Sequence, residues 1–180
     1  MEKEINEIRK EFFAYRNGVV ADALRKSGDT HQVIMGCMLV DVATIARRYE
    51  PSVALANALW ADEKHRECRL AAPMLYPAAE MTAEQALLWA RGVQSEEEAD
   101  VLCHRLLRHV ASAEEVARAL LTSKSRLGQY AGLRLLMNLL ADDSVTSRNA
   151  IAVVVERCAR GLCNENLGLL RHVETELQSS

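Results

Sequence analysis

The sequence predicts an all-α fold, a short α-solenoid of antiparallel helix pairs, on three observations. Gly and Pro are scarce, 8 and 3 in 180 residues, while 49% of the chain is hydrophobic and 26% charged. Such a composition suits helices and supplies few residues for the tight turns that join strands. Helix-start signals near Ser52, Thr82, Ser112 and Ser144 recur at roughly 30 to 34 residues, the period of helical repeat arrays. Between them, "VLCHRLLRHV" and "LGQYAGLRLLMNLL" repeat apolar residues at three- and four-residue spacing, the stripe of an amphipathic helix.

Taken in chain order, residues 3–16, 18–26 and 41–49 are expected to be N-terminal helices, the third capped by Asp41. The stretch "SGDTHQVIMG" reads as an irregular loop, because Gly28 and Gly36 stand among poor helix formers. Ser52 opens "VALANALWAD". Thr82 with Gln85, Ser95 with Glu98 and Ser112 with Glu115 each have the S/T-x-x-E/Q arrangement of a capping box, in which the hydroxyl accepts from an orphan N–H and the longer side chain reaches back. Gly92 and Gly161 fit helix C-termini, where a left-handed residue is favoured. Each segment from residue 51 on reads as a pair whose second helix is the longer. No pair can bury its apolar stripe alone, so the pairs should stack. The expectation is one α-solenoid domain over 1–180, with N-terminal helices over 1–50 and about four helix pairs over 51–180, and a polar tail, "ETELQSS", to cap the stack.

No run of about 18 uncharged apolar residues occurs, and "MEKEINEIRKEFF" is charged and amphipathic rather than a signal peptide, so the expected location is cytoplasmic with no membrane partner. Five cysteines, an odd number spread through apolar patterns, read as reduced core thiols. Neither the Cys158, Cys163 and His172 spacing nor "EKHRE" fits a metal site, and no phosphate loop or nucleophile elbow appears, so no metal or cofactor is expected. The net charge of -3 and pI near 6.0 weigh against a strong duplex-DNA grip, which draws on an excess of Lys and Arg.

Basic residues nevertheless recur along the second helices and their turns. Lys64, Arg66, Arg69, Arg105, Arg108, Lys124, Arg126, Arg134 and Arg148 are the candidate DNA contacts, with His104, His109, Arg171 and His172 beside them. On a concave face they would make a stripe suited to phosphates or to an acidic protein. The alternative is that they pair with neighbouring carboxylates such as Glu63 or Glu67. Trp60 and Trp89 stand inside apolar stripes and are expected in the core. In "SEEEADVLCHRLL" the run of carboxylates mostly starts a helix, since negative charge near an N-terminus complements the macrodipole.

Three segments resemble one family. "LANALWADEKHRECRLAAPML", Leu55 to Leu75, resembles the L-W-x-(four or five residues)-R-E-x-R-x-x-A pattern of the HEAT-like DNA alkylation repair proteins, the alkylpurine DNA glycosylases. "IMGCMLVDVATIARRY" is similar to that family's G-V-x-x-P-D-L-R segment, keeping Gly36 and Asp41 but with Val40 for proline and Thr44 for arginine. "ALLWARGVQSEEEADVLCHRLL" looks like its N-W-D-x-V-D-x-x segment. The resemblance spans roughly residues 30–160 and implies a HEAT-like solenoid that acts on double-stranded DNA carrying alkylated bases, with an aspartate stabilising positive charge as the glycosidic bond breaks and tryptophans cradling the lesion. The aspartate falls on Asp100. The tryptophans fall on Glu96 and near Val153, so the aromatic partners are missing and the expected activity is DNA binding with weak or absent base excision. The other reading is a non-catalytic scaffold that holds a protein partner on its concave face.

Overall fold

The computed structural model describes residues 1–178; Ser179 and Ser180, the end of the tail expected to cap the stack, lie outside the described residues. Among the described residues there are eleven α-helices, three short 3-10 turns and no strand, and the chain divides into two compact units, Met1–Glu80 and Met81–Ser180.

The N-terminal unit holds α1 (Glu2–Ala14), α2 (Gly18–Lys26), α3 (Leu39–Ala46), α4 (Val53–Trp60) and α5 (Arg66–Leu75). α2 starts where Asn17 accepts from the Val19 and Val20 N–H groups. Asp41 caps α3 from its first turn rather than from its head: Met38 precedes the helix, and its N–H donates to Asp41 Oδ2 at 3.2 Å. α4 and α5 form the hairpin begun by Ser52, whose hydroxyl accepts from Leu55 N. α3 packs on α5, and α1 lies against α3, α4 and α5 through Ile8 and Phe12, both fully buried.

The expected loop lies between α2 and α3, and it is tied down. Val33 N donates to Lys64 O and Arg66 N to Val33 O, so a single parallel bridge clips the loop to the head of α5. Beneath it lies a buried polar cluster. Glu67 accepts from Met35 N at 3.2 Å, Gly36 N at 3.0 Å and Arg66 Nη1 at 2.9 Å. Arg66 also donates to Cys37 O, and its Nε lies 3.7 Å from Asp29, which in turn meets His31 Nδ1 at 2.6 Å. Burial pushes the Cys37 thiol up to about 12, with Glu67 and Asp41 adding to the effect, and raises Cys68 likewise; both are inert core thiols.

Asp62, between α4 and α5, fastens α1 to the unit. It accepts from Arg9 Nε at 3.1 Å, Arg9 Nη2 at 2.6 Å and His65 Nδ1 at 2.9 Å. Burial alone would raise its pKa, but the His65 and Arg9 hydrogen bonds outweigh that and hold it below the usual carboxylate value. A depressed acid contributes stability above its unfolded pKa and loses it as pH falls through the folded value. Asp62→Asn should therefore destabilise the unit by about 1–3 kcal/mol at pH 7, below the range for a fully buried pair because Arg9 is one-third exposed. Urea melts from pH 6 to pH 3 should show the gap between wild type and variant closing as the pH drops below about 4. A gap that stays constant over that range would refute the assignment.

The C-terminal unit is a two-layer stack of six helices that follow in twos along the chain: α6 (Ala83–Arg91) then α7 (Glu96–Arg105), α8 (Ala113–Leu121) packed on α9 (Arg126–Ala141), and α10 (Arg148–Ala159) packed on α11 (Leu167–Gln178). α8 touches α6 and α10 in one layer, and α9 touches α7 and α11 in the other. The apolar stripes legible in the sequence face each other here, with Trp89, Leu102, Leu120 and Leu136 sealed between the layers.

Thr82 and Ser95 cap their helices as expected. Four other start and stop signals work differently. Ser112 stands at the head of α8 without a side-chain cap bond, and α10 is capped by Ser147, which accepts from Ala150 N, rather than starting at Ser144. Gly92 ends α6 with φ -92, not left-handed, and Gly161 has no positive φ; Asp143 at φ 52 is the residue that turns left-handed after α9. The second helix is the longer in the first three pairs, whereas α10 and α11 are equal over the described residues.

Candidate nucleic-acid interface

The site begins with the head of α7. Ser95 Oγ accepts from Glu98 N at 3.1 Å, and the buried Glu98 carboxylate accepts from Gln94 N at 2.9 Å, one residue upstream of the expected box partner. Glu96, Asp100 and His104 then follow at four-residue spacing and share a face of α7. Arg126, Tyr130 and Arg134 do the same on α9. The two helices are held together by buried side chains and by the Cys103 thiol, which donates to Ala131 O at 3.3 Å.

This packing turns the two rows into rungs. Arg126 Nη1 meets Glu96 Oε1 at 2.5 Å. Asp100 accepts from the Tyr130 hydroxyl at 2.9 Å and from Arg134 Nη2 at 3.1 Å, with Arg134 Nε 2.7 Å from its other oxygen. Arg108 bridges His104 Nδ1 at 3.1 Å and Asp142 at 3.0 Å. Burial raises the Tyr130 phenol, and the Asp100 charge raises it further, so it stays a donor. Burial lowers His104, and Arg108 and Arg105 lower it further, so its ring accepts from Arg108 as a neutral imidazole.

Chemically, Asp100 is a half-exposed carboxylate already engaged by a forked guanidinium and a phenol. Positive charge building up on a sugar nearby would meet an ion pair instead of a lone anion, and the attraction of a neutralised pair falls off far faster with distance. Glu96 presents no aromatic face and is itself neutralised by Arg126.

The remaining predicted residues separate into three groups. Lys64 and Lys124 are exposed in the turns before α5 and α9, and Arg105 is exposed at the end of α7. Arg108, Arg126 and Arg134 belong to the rungs. Arg66 and Arg69 leave the expected stripe: they are 3% and 2% exposed, and Arg69 stacks 3.8 Å over the Trp60 ring while donating to Trp60 O at 2.7 Å. A guanidinium sealed inside the N-terminal unit cannot reach a phosphate. Arg148 turns inward as well, donating to Glu176 O at 2.9 Å and Leu140 O at 3.4 Å, and so ties α10 to α11 and to the end of α9. Val153, the second expected aromatic position, is 55% exposed on α10, in the other helix layer from α7 and α9. Trp60 and Trp89 are buried, as their apolar surroundings predicted. Tyr130 was not singled out by the sequence, although its four-residue offset from both Arg126 and Arg134 marks it as part of the row.

Comparison with known proteins agrees with the fold. The family model described as "DNA alkylation repair enzyme" matches residues 8–161. A solved structure described as "A new family of proteins related to the HEAT-like repeat DNA glycosylases with affinity for branched DNA structures" is similar over 96% of this chain and 74% of that chain, with a TM-score of 0.83 and 17% identity. That likeness shows the all-α, HEAT-like fold. No curated protein matches.

Proposed function

The chain belongs to the DNA alkylation repair family, and from that premise we propose that it binds DNA along the α7–α9 face, with alkylpurine excision weak or absent. The observation that carries the second half is the engagement of Asp100 by Arg134 and Tyr130, with Glu96 in the place of an aromatic neighbour. The first half draws support from the rungs themselves. Surface ion pairs are worth about 0–1 kcal/mol, so a DNA phosphate can take over Arg126 or Arg108 from its carboxylate at little cost, while Arg134 stays forked on Asp100. The affinity for branched DNA described for the similar structure supports a junction as the form to test first.

The protein should release no N3- or N7-alkylpurine above background from alkylated duplex, yet bind a branched DNA with log K falling linearly in log salt. Changing Arg126 and Arg108 to Ala should flatten that slope by about 1 for each phosphate no longer gripped. Alkylpurine release that Asp100→Asn abolishes would overturn the weak-excision reading. Binding that is absent at low salt, or indifferent to salt, would remove DNA as partner. It would leave the protein-scaffold reading, which the internal neutralisation of this face favours.

A further inference from the structure

The N-terminal unit carries a second surface that the α7–α9 reading leaves unused. Of the two adjacent phenylalanines of α1, Phe12 is fully buried and Phe13 is 55% exposed. A large apolar ring left in water costs free energy that burial would have recovered, and the chain holds only 2 Phe, 2 Trp and 4 Tyr in all. Phe13 stands in a shallow groove of about 440 Å³ with Asn6, Arg9, Lys10 and Met35. The groove lining therefore has an aromatic face, a flexible thioether and two cations, and no carboxylate.

The charge around the ring is also organised. Arg16 places its guanidinium 4.2 Å from the centre of the Phe13 ring and donates to Phe13 O at 3.1 Å. Lys10 is exposed and, among the described residues, forms no ion pair. Arg9 is held by Asp62. The nearest acid along the helix, Glu11, is turned away to Arg48 and to the Tyr49 hydroxyl. Glu2 lies on the same side of α1 as Phe13, three turns earlier.

An exposed aromatic ring flanked by uncompensated cations matches the demands of unpaired nucleic acid, in which a base offers a π-face and its phosphates offer charge. A fully paired duplex offers no free base to stack. We propose that this groove is a stacking site for one unpaired DNA base, with the flanking phosphates taken by Lys10 and Arg16. The inference rests on the DNA-binding reading above and adds to it: strand openings at a branch supply the unpaired nucleotides.

The test compares a fork carrying a single-stranded arm, with 2-aminopurine in that arm, against a fully paired junction of equal length. Wild type should prefer the open fork and change the probe's fluorescence. Phe13→Ala should weaken the fork by about five- to thirtyfold and abolish the fluorescence change, while the paired junction stays within about twofold. Lys10→Ala should weaken the fork and lower its salt slope by about 1. Phe13→Tyr should restore binding, and melting curves establish that the variants fold. Equal losses on both DNAs, or no loss on either, would overturn the stacking site while leaving DNA binding in place. No binding of either DNA by wild type would instead overturn the parent reading, and the groove with it.

Discussion

Glu67→Gln is expected to lower the stability of the N-terminal unit by about 3–5 kcal/mol, most of what a unit of this size has to lose. The Glu67 carboxylate is fully buried and takes three donors, the N–H groups of Met35 and Gly36 and the Arg66 guanidinium. Glutamine keeps one acceptor and turns an NH₂ group toward the other donors. Arg66, 3% exposed, would lose its 2.9 Å partner and keep Asp29 at a longer 3.7 Å. Removing one member of a buried pair leaves the other uncompensated, which is why the effect exceeds that of a surface ion pair several-fold. Denaturant melts of Glu67→Gln, Arg66→Met and the double variant check this. The double should be less destabilised than the sum of the singles by about 1–3 kcal/mol, because the second change removes the buried charge that the first deprives of its 2.9 Å partner. Additive losses would mean that the two groups do not act on each other.

Much of the fold was legible because helices announce themselves locally. The Ser52, Thr82 and Ser95 caps, the loop over residues 27–36 and the buried Trp60 and Trp89 all follow from spacing and residue type. What failed was conformation at the ends. Gly92 sits where a helix stops, but the last-turn carbonyls are satisfied by its own N–H in a right-handed turn, so its freedom goes unused. Asp143 takes the left-handed position instead, and Ser144 N then reaches Leu139 O at 2.8 Å.

The candidate site was less legible, since its contacts are long-range. A row of Arg on one helix and a row of acids on another can be read separately, but only the packing of α7 on α9 makes Arg126 meet Glu96 and Arg134 meet Asp100. The sequence suggested pairing within one helix; the pairs of this site, Arg126 with Glu96 and Arg134 with Asp100, cross between helices, 30 and 34 residues apart. Arg66 and Arg69 misled for a different reason. A charged residue in a helix is exposed by default, and burial becomes affordable only where Glu67, Cys37 O, Trp60 O and an indole face converge. The family resemblance marked these positions, and the structure gives their reason: they hold the N-terminal unit together.

Gly36 supplies the same lesson at the backbone, and Gly36→Ala should prevent the N-terminal unit from folding. The residue has φ 77, a region that costs an alanine about 1–2 kcal/mol. A Cβ there would also lie 2.2 Å from Asn17 O and 2.7 Å from Ala21 N. Both atoms are backbone. Asn17 heads α2 and donates to Met35 O at 2.8 Å, so the loop and the helix would have to part for the methyl group to fit. The added cost brings the total above about 4 kcal/mol, the exceptional end of single substitutions. Gly28 is the control, with φ 100 and nothing within 4 Å of its would-be Cβ. Gly28→Ala should show the conformational cost alone, about 1–2 kcal/mol, and still fold. Circular dichroism and amide exchange of the two variants separate steric from conformational cost; equal effects would show that the close approach of α2 contributes nothing. The need for glycine here comes from the crossing of loop and helix, so a position that the family resemblance picks out can be fixed by packing before any chemistry is asked of the protein.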